Sequence, residues 1–243
     1  MKKLIAIINL LTNITYLTEI IPLIFCIVYF KKLHTKLLKV FFVYAITAFS
    51  FLSFSLIALW YLKSFELHVI LIRIFLVLEF LLICLFYHIL FKSTKIKYTL
   101  VISAFIFVLF CIYNYVQSVH NEFDFMPLVV ECLFFTFFIL YYFYDVMQHS
   151  FEAPLFQMPS FWISVAFLVY FSGNFFLFLF SRSMEHEDNF GFQYTLIYST
   201  MTIVKNILLC IGVIVNNNNT LKIESDTIPV NLTFDDLPTY NQH

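Results

Sequence analysis

The chain has 243 residues, 62% of them hydrophobic and 12% charged, with a formal net charge of −1. Soluble domains carry about 25% charged residues, so this composition cannot cover a water-facing surface, and the chain's solvent must be lipid. A near-neutral balance offers no basic field for nucleic acid.

Seven apolar runs, at about 8–30, 38–62, 68–91, 98–118, 126–146, 159–181 and 193–215, each approach or exceed the roughly 20 residues that a bilayer demands. They predict an all-α fold: a polytopic integral membrane protein with seven transmembrane helices. The opening MKKLIAIINLLTNITY imitates a signal peptide. It lacks a small-residue cleavage site, and its apolar stretch continues past Glu19 and Pro22 to Phe30, so it reads as a retained first helix. The five cysteines, Cys26, Cys84, Cys111, Cys132 and Cys210, all lie in apolar runs and form no C-x-x-C pair. They read as small buried hydrophobes rather than zinc ligands or a disulfide framework. The 34 phenylalanines read as lipid-facing apolar residues that stand where leucine stands elsewhere.

Orientation follows from lysine and arginine in the connections. Lys31, Lys32, Lys36, Lys39, Lys92, Lys95, Lys97 and Lys222 fall on one side, against Lys2, Lys3, Lys63 and Arg182 on the other. The richer side is expected to be cytoplasmic, which places the amino terminus outside and the carboxyl terminus inside the plasma (inner) membrane. Lys2 and Lys3 pull mildly the other way. The outer connections VHNEFDF and SRSMEHEDNFGFQ are polar and acidic, and Pro159 stands where a proline can open helix six. From residue 216 to 243 the composition turns polar. This cytoplasmic tail lacks helical periodicity and reads as disordered, although TIPVNLTF could add a strand to a partner's sheet.

Five charged residues, Glu19, Arg73, Glu79, Glu131 and Lys205, fall well inside the spans, whereas Lys39 and Asp145 stand at span ends. All five lie on odd-numbered helices, which run parallel in an unbroken seven-span chain. Counted at 1.5 Å per residue, Glu19, Glu79 and Lys205 lie about 16–18 Å deep, and Arg73 and Glu131 about 7–8 Å. A charge at mid-membrane costs about 2.5–3.5 kcal/mol on insertion scales and is rarely left without a partner. Lys205 therefore predicts an acid at its own depth, either Glu19 or Glu79, and the second acid is expected to hold a proton. Helical spacing puts Thr12, Thr15, Glu19, Pro22 and Cys26 on one stripe. It does the same for Glu131, Phe135, Phe138, Tyr142 and Asp145, and for Tyr194, Tyr198, Thr202 and Lys205 with Asn206 beside them. Arg73 and Glu79, six residues apart, point about 120° away from each other. This layer is either a buried polar site or a set of ion pairs that fixes which helices touch.

Other chemistry is weakly marked. The outer connections hold His120 near acids, and His186 between Glu185 and Glu187. These could form a metal or pH-sensing lip, but without ligand spacing inside one segment they read as solvated loop faces. The sequence has no H-E-x-x-H, no G-x-S-x-G and no phosphate-cradling glycine loop, so no enzyme and no cofactor are predicted. A mid-helix lysine also invites comparison with retinal-binding microbial rhodopsins. Those place an aspartate one turn before the lysine, where this chain has Met201.

Helix six reads PSFWISVAFLVYFSGNFFLFLF. Its Pro159, Phe161, Trp162, Tyr170, Gly173, Phe176 and Phe178 resemble a pattern of small uncharacterised bacterial seven-helix membrane proteins, with Ala166 where that pattern often has a glycine. Asn206 to Leu208 on helix seven fits it too. The resemblance implies a membrane protein working beside bacterial signalling or envelope systems, and it brings no activity with it. Ala166 and Gly173 share a face with Trp162 and Val169, so that face is expected to approach another helix closely.

The expected function is therefore a non-enzymatic sensory or signalling-accessory protein. In it the buried charged layer sets a bias that residues 216–243 report to a membrane or cytoplasmic signalling protein. The alternative is a small-solute or proton transporter that uses the same charged residues as its path.

Overall fold

The computed structural model of the chain describes residues 2–30, 35–117, 125–148, 154–184 and 190–226. They form α1 (Lys2–Val28), α2 (Lys36–Trp60), α3 (Phe65–Leu90), α4 (Thr94–Gln117), α5 (Met126–Gln148), α6 (Pro159–Met184) and α7 (Phe190–Asp226). A short 3-10 turn at Leu155–Gln157 precedes α6. All seven helices are long and apolar enough to cross a membrane. The chain thus has the build of a multi-pass membrane protein.

Polar residues at the apolar boundaries set several helix starts. Thr35 accepts the Leu38 amide on its side chain at 3.4 Å, and Ser64 accepts that of Leu67 at 3.3 Å. Each satisfies an amide that the first helical turn leaves open, so α2 and α3 begin earlier than hydropathy alone predicts. Pro159 opens α6 as expected, because its missing N–H lies where no helical acceptor exists. The expected end of helix seven at Val215 needs correction. The helix runs on through the asparagine run to Asp226, with Asn216 and Asn217 buried against the bundle. Packing there overrides the low helix propensity of asparagine. The remaining tail, 227–243, lies outside the described residues.

Each helix packs on its neighbour in sequence, and α7 closes the ring against α1. The most intimate seam joins α6 to α7, where two of the three glycines permit close approach. A Cβ built on Gly173 would run into Met201 Sδ, and one on Gly212 would come within 3.0 Å of Ile163 Cγ1 and 3.3 Å of the Pro159 carbonyl. Ala166, on the face expected to pack closely, is buried. Gly173→Ala is expected to lower stability by about 1 kcal/mol, because overpacking costs about 1–3 kcal/mol while helix propensity returns about 0.8–1. Thermal unfolding in detergent, with Met201→Ala as the partner in a double-mutant cycle, measures it. Additive effects would mean that Met201 is not what resists the new methyl.

The two ends of the bundle differ. The end where α2 and α6 begin and α3 and α5 finish is filled with rings. Tyr87 donates to Ser164 Oγ at 3.0 Å and Tyr142 to Ser160 Oγ at 3.1 Å. Tyr44 meets Phe167 edge-on at 5.3 Å, and nearer mid-bundle Phe80 stacks on Phe107 at 3.8 Å. The phenylalanines are thus not simply lipid-facing. Phe41, Phe80, Phe135, Phe167 and Phe171 are buried in the core, while Phe54, Phe105, Phe137 and Phe176 are exposed on the outer surface. Hydropathy cannot separate these groups, since both environments are apolar.

Candidate functional site

At the opposite end, where the odd-numbered helices begin, the interior holds a cavity of about 480 Å³. It is lined mainly from α1, α2, α3 and α7, with Phe125 just before α5, Leu128 on α5, and Tyr170 and Phe178 on α6. Its walls carry three of the charged residues singled out from the sequence: Glu19, Glu79 and Lys205.

Lys205 Nζ donates to Glu19 Oε1 at 3.0 Å, which ties α7 to α1 across 186 residues of chain. Its ammonium also sits 4.6 Å from the centroid of the Tyr170 ring on α6, a cation–π contact that strengthens where water is scarce. Between them, the carboxylate and the ring make the charge tolerable at this depth. One residue on, Asn206 donates to Thr18 Oγ1 at 3.3 Å, so two consecutive residues of α7 grip two consecutive residues of α1. Pro22 has no N–H to give the Thr18 carbonyl, which loosens the α1 backbone beside Glu19. Of the other members of the α1 stripe, Thr15, Pro22 and Cys26 are buried as the spacing predicts, and Thr12 is half-buried on the cavity wall.

The sequence left Lys205 between two acids, and the structure gives it Glu19. Glu79, 5% exposed, accepts instead from the Tyr44 hydroxyl on α2 at 3.0 Å. A neutral hydrogen bond contributes about 0.5–1.5 kcal/mol, and a buried acceptor left unpaired costs about 1–3 kcal/mol. Tyr44→Phe is accordingly expected to cost about 1.5 kcal/mol in a detergent unfolding assay. An unchanged melting temperature would mean that cavity water replaces the hydroxyl.

The expected outer layer does not assemble as a pair. Among the described residues no ion pair joins Arg73 to Glu131. Arg73 instead lays its guanidinium 5.3 Å from the centroid of the Tyr115 ring on α4. Glu131 is 1% exposed, and its Oε1 has no hydrogen-bond partner. Counting residues along parallel helices yields depth, but direction around the axis decides contact. Arg73 turns towards α4, whereas Glu131 turns into the interior with Phe135 and Tyr142, its predicted stripe.

At the upper end of the cavity His68 joins α3 to α2, its Nδ1 lying 2.7 Å from Ser55 Oγ. The connection candidates His120, His186, Glu185 and Glu187 lie outside the described residues. Among the described residues no three His, Cys, Asp or Glu are grouped to hold a metal ion.

The sequence reading put Tyr198 on the Lys205 stripe and named Tyr170 in the helix-six pattern, but it did not bring the two rings together at the site. Tyr170 and Tyr198 line the cavity and meet nearly edge-on at 6.3 Å. With 15 tyrosines in the chain, nothing local marks Tyr170 as the ring that meets Lys205. No family model matches the chain, no curated protein matches it, and no solved structure matches its fold. The functional reading therefore stands on the site's own chemistry.

Proposed function

We propose that the protein is a non-enzymatic sensory or signalling-accessory protein of the plasma membrane, with its amino terminus outside and its carboxyl terminus inside. The observation that carries this reading is the cavity set towards one end of the bundle. It reaches the Lys205–Glu19 pair and Glu79 from one end of the bundle, while close-packed rings fill the other end. Such a cavity suits a small ligand whose binding is read through a conformational bias. In the orientation that the lysine distribution favours, the cavity would lie in the outer half of the bundle. The reporter would be the α7 extension with residues 216–243, since α7 carries Lys205 and continues into that segment. The likeness of α6 and α7 to bacterial membrane proteins beside signalling or envelope systems agrees with such a role. The non-enzymatic part rests on the missing catalytic motifs in the sequence.

One observation favours transport as the second reading. Glu79 and Glu19 share a cavity with one lysine, so Lys205 could exchange partners as a solute or proton moves. Two measurements separate the readings. Liposomes bearing the wild-type protein should show no solute or proton flux. Cross-linking in the native membrane should capture a stoichiometric protein partner through the inner lysines or residues 216–243. Flux that disappears in Glu79→Gln would establish the transporter instead. Deleting 227–243, which spares α7, should abolish any signalling phenotype, and a phenotype that survives would remove that segment as reporter.

A further inference from the structure

We propose that the cavity binds a small organic monocation, a primary or quaternary ammonium with an apolar body. Its charged head sits at Glu79 and its body extends towards the cavity mouth. The proposal rests on the sensory reading above and names the ligand class of that same site.

Charge is the first argument. Lys205 and Glu19 hold each other at 3.0 Å. Glu79 lines the same cavity from the α3 wall, and the one hydrogen bond to its Oε1 comes from a neutral donor, the Tyr44 hydroxyl. The deep end of the cavity thus carries two carboxyls against one ammonium, and the surplus carboxyl, expected to hold a proton while the cavity is empty, can give it up to meet one positive charge. A carboxylate ligand would meet both acids at close range, and like charges brought together without water repel strongly.

Size is the second. About 480 Å³ far exceeds what a proton or a bare metal ion needs, and lies within the roughly 300–1,000 Å³ of small-molecule sites. Much of the remaining wall is apolar, formed by rings such as Phe51, Phe75 and Phe178. An amphipathic guest would leave its body against these rings.

The third argument is that the cavity already holds an ammonium group. The Lys205 head lies 4.6 Å from the Tyr170 centroid, and Tyr198 stands against that ring at 6.3 Å. Aromatic faces backed by a carboxylate are a common recognition device for ammonium ligands. Lys205 shows within this molecule how such a head is received, and Glu79 offers a second carboxylate for one.

The test is isothermal titration calorimetry on the full chain in lipid nanodiscs with three probes of one shape: phenethylammonium, 3-phenylpropionate and 3-phenylpropan-1-ol. Phenethylammonium should bind saturably to the wild type. The other two probes, and phenethylammonium on Glu79→Gln, should bind about tenfold to a hundredfold more weakly, the loss of one charge-assisted contact. The comparison among probes uses wild-type protein, so it holds even if Glu79→Gln fails to fold. Tighter binding of phenylpropionate, lost in Lys205→Met, would overturn the cation site while leaving a ligand-sensing protein. Equal binding of all three would likewise reduce the cavity to an apolar pocket. If no probe binds and native mass spectrometry finds a tightly held phospholipid, both this proposal and the sensory reading fall. Phenethylammonium that binds but is also carried across liposomes would keep the cation site and overturn the sensory reading.

Discussion

Lys205→Met is expected to destabilise the folded protein by about 3 kcal/mol, the lower end of what removing one partner of a buried ion pair costs. The pair itself need not add net stability, because desolvation offsets much of its attraction. Truncating one member differs, since it leaves Glu19 charged beside α7 with no cation at 3.0 Å. Glu19 is partly exposed to the cavity, so water softens the penalty. Methionine also forfeits the contact with Tyr170, about 0.5–2 kcal/mol in such settings. Adding Glu19→Gln should recover much of the loss. The measurement is chemical or thermal unfolding in detergent for the wild type, both single variants and the double. A double variant no better than Lys205→Met alone would show that the lysine is needed for something other than neutralising Glu19.

Glu131→Met is expected to act in the opposite direction, stabilising the fold by about 2 kcal/mol. Glu131 lies on α5 with 1% exposure and with Oε1 unpartnered. It does not line the cavity, and no described residue forms an ion pair with it. An unsatisfied buried polar group costs about 1–3 kcal/mol, and an apolar side chain of similar length removes that cost. Methionine adapts its shape to an irregular space, which limits strain. The same unfolding assay decides the sign. A stabilised variant that loses function would mark Glu131 as retained for activity, whereas a destabilised one would show that it has a partner in the folded protein.

These residues also show how far sequence reasoning reaches. The α1 stripe ending in Cys26, the α5 stripe through Glu131 and the α7 stripe through Lys205 were legible because helical spacing assigns faces before any neighbour is known. Proline at the start of α6 and close approach at Gly173 were legible for the same local reason. Tyr44 as the partner of Glu79, and Tyr170 beneath Lys205, were not. Each contact depends on the rotation of one helix against the next, with the two residues 35 apart in both cases.

The sequence by itself determined that this chain forms seven apolar helices and that Lys205 lies at a depth shared with two acids. Composition, run length and a rise of 1.5 Å per residue are enough for that. Only the tertiary structure decided that Lys205 takes Glu19, that Glu79 turns to Tyr44 and the cavity, and that Arg73 and Glu131 part company. Depth along a helix is a property of its own residues. Which neighbour a side chain meets is set by the rotation and tilt at which seven helices pack, and lipid as solvent is indifferent to either.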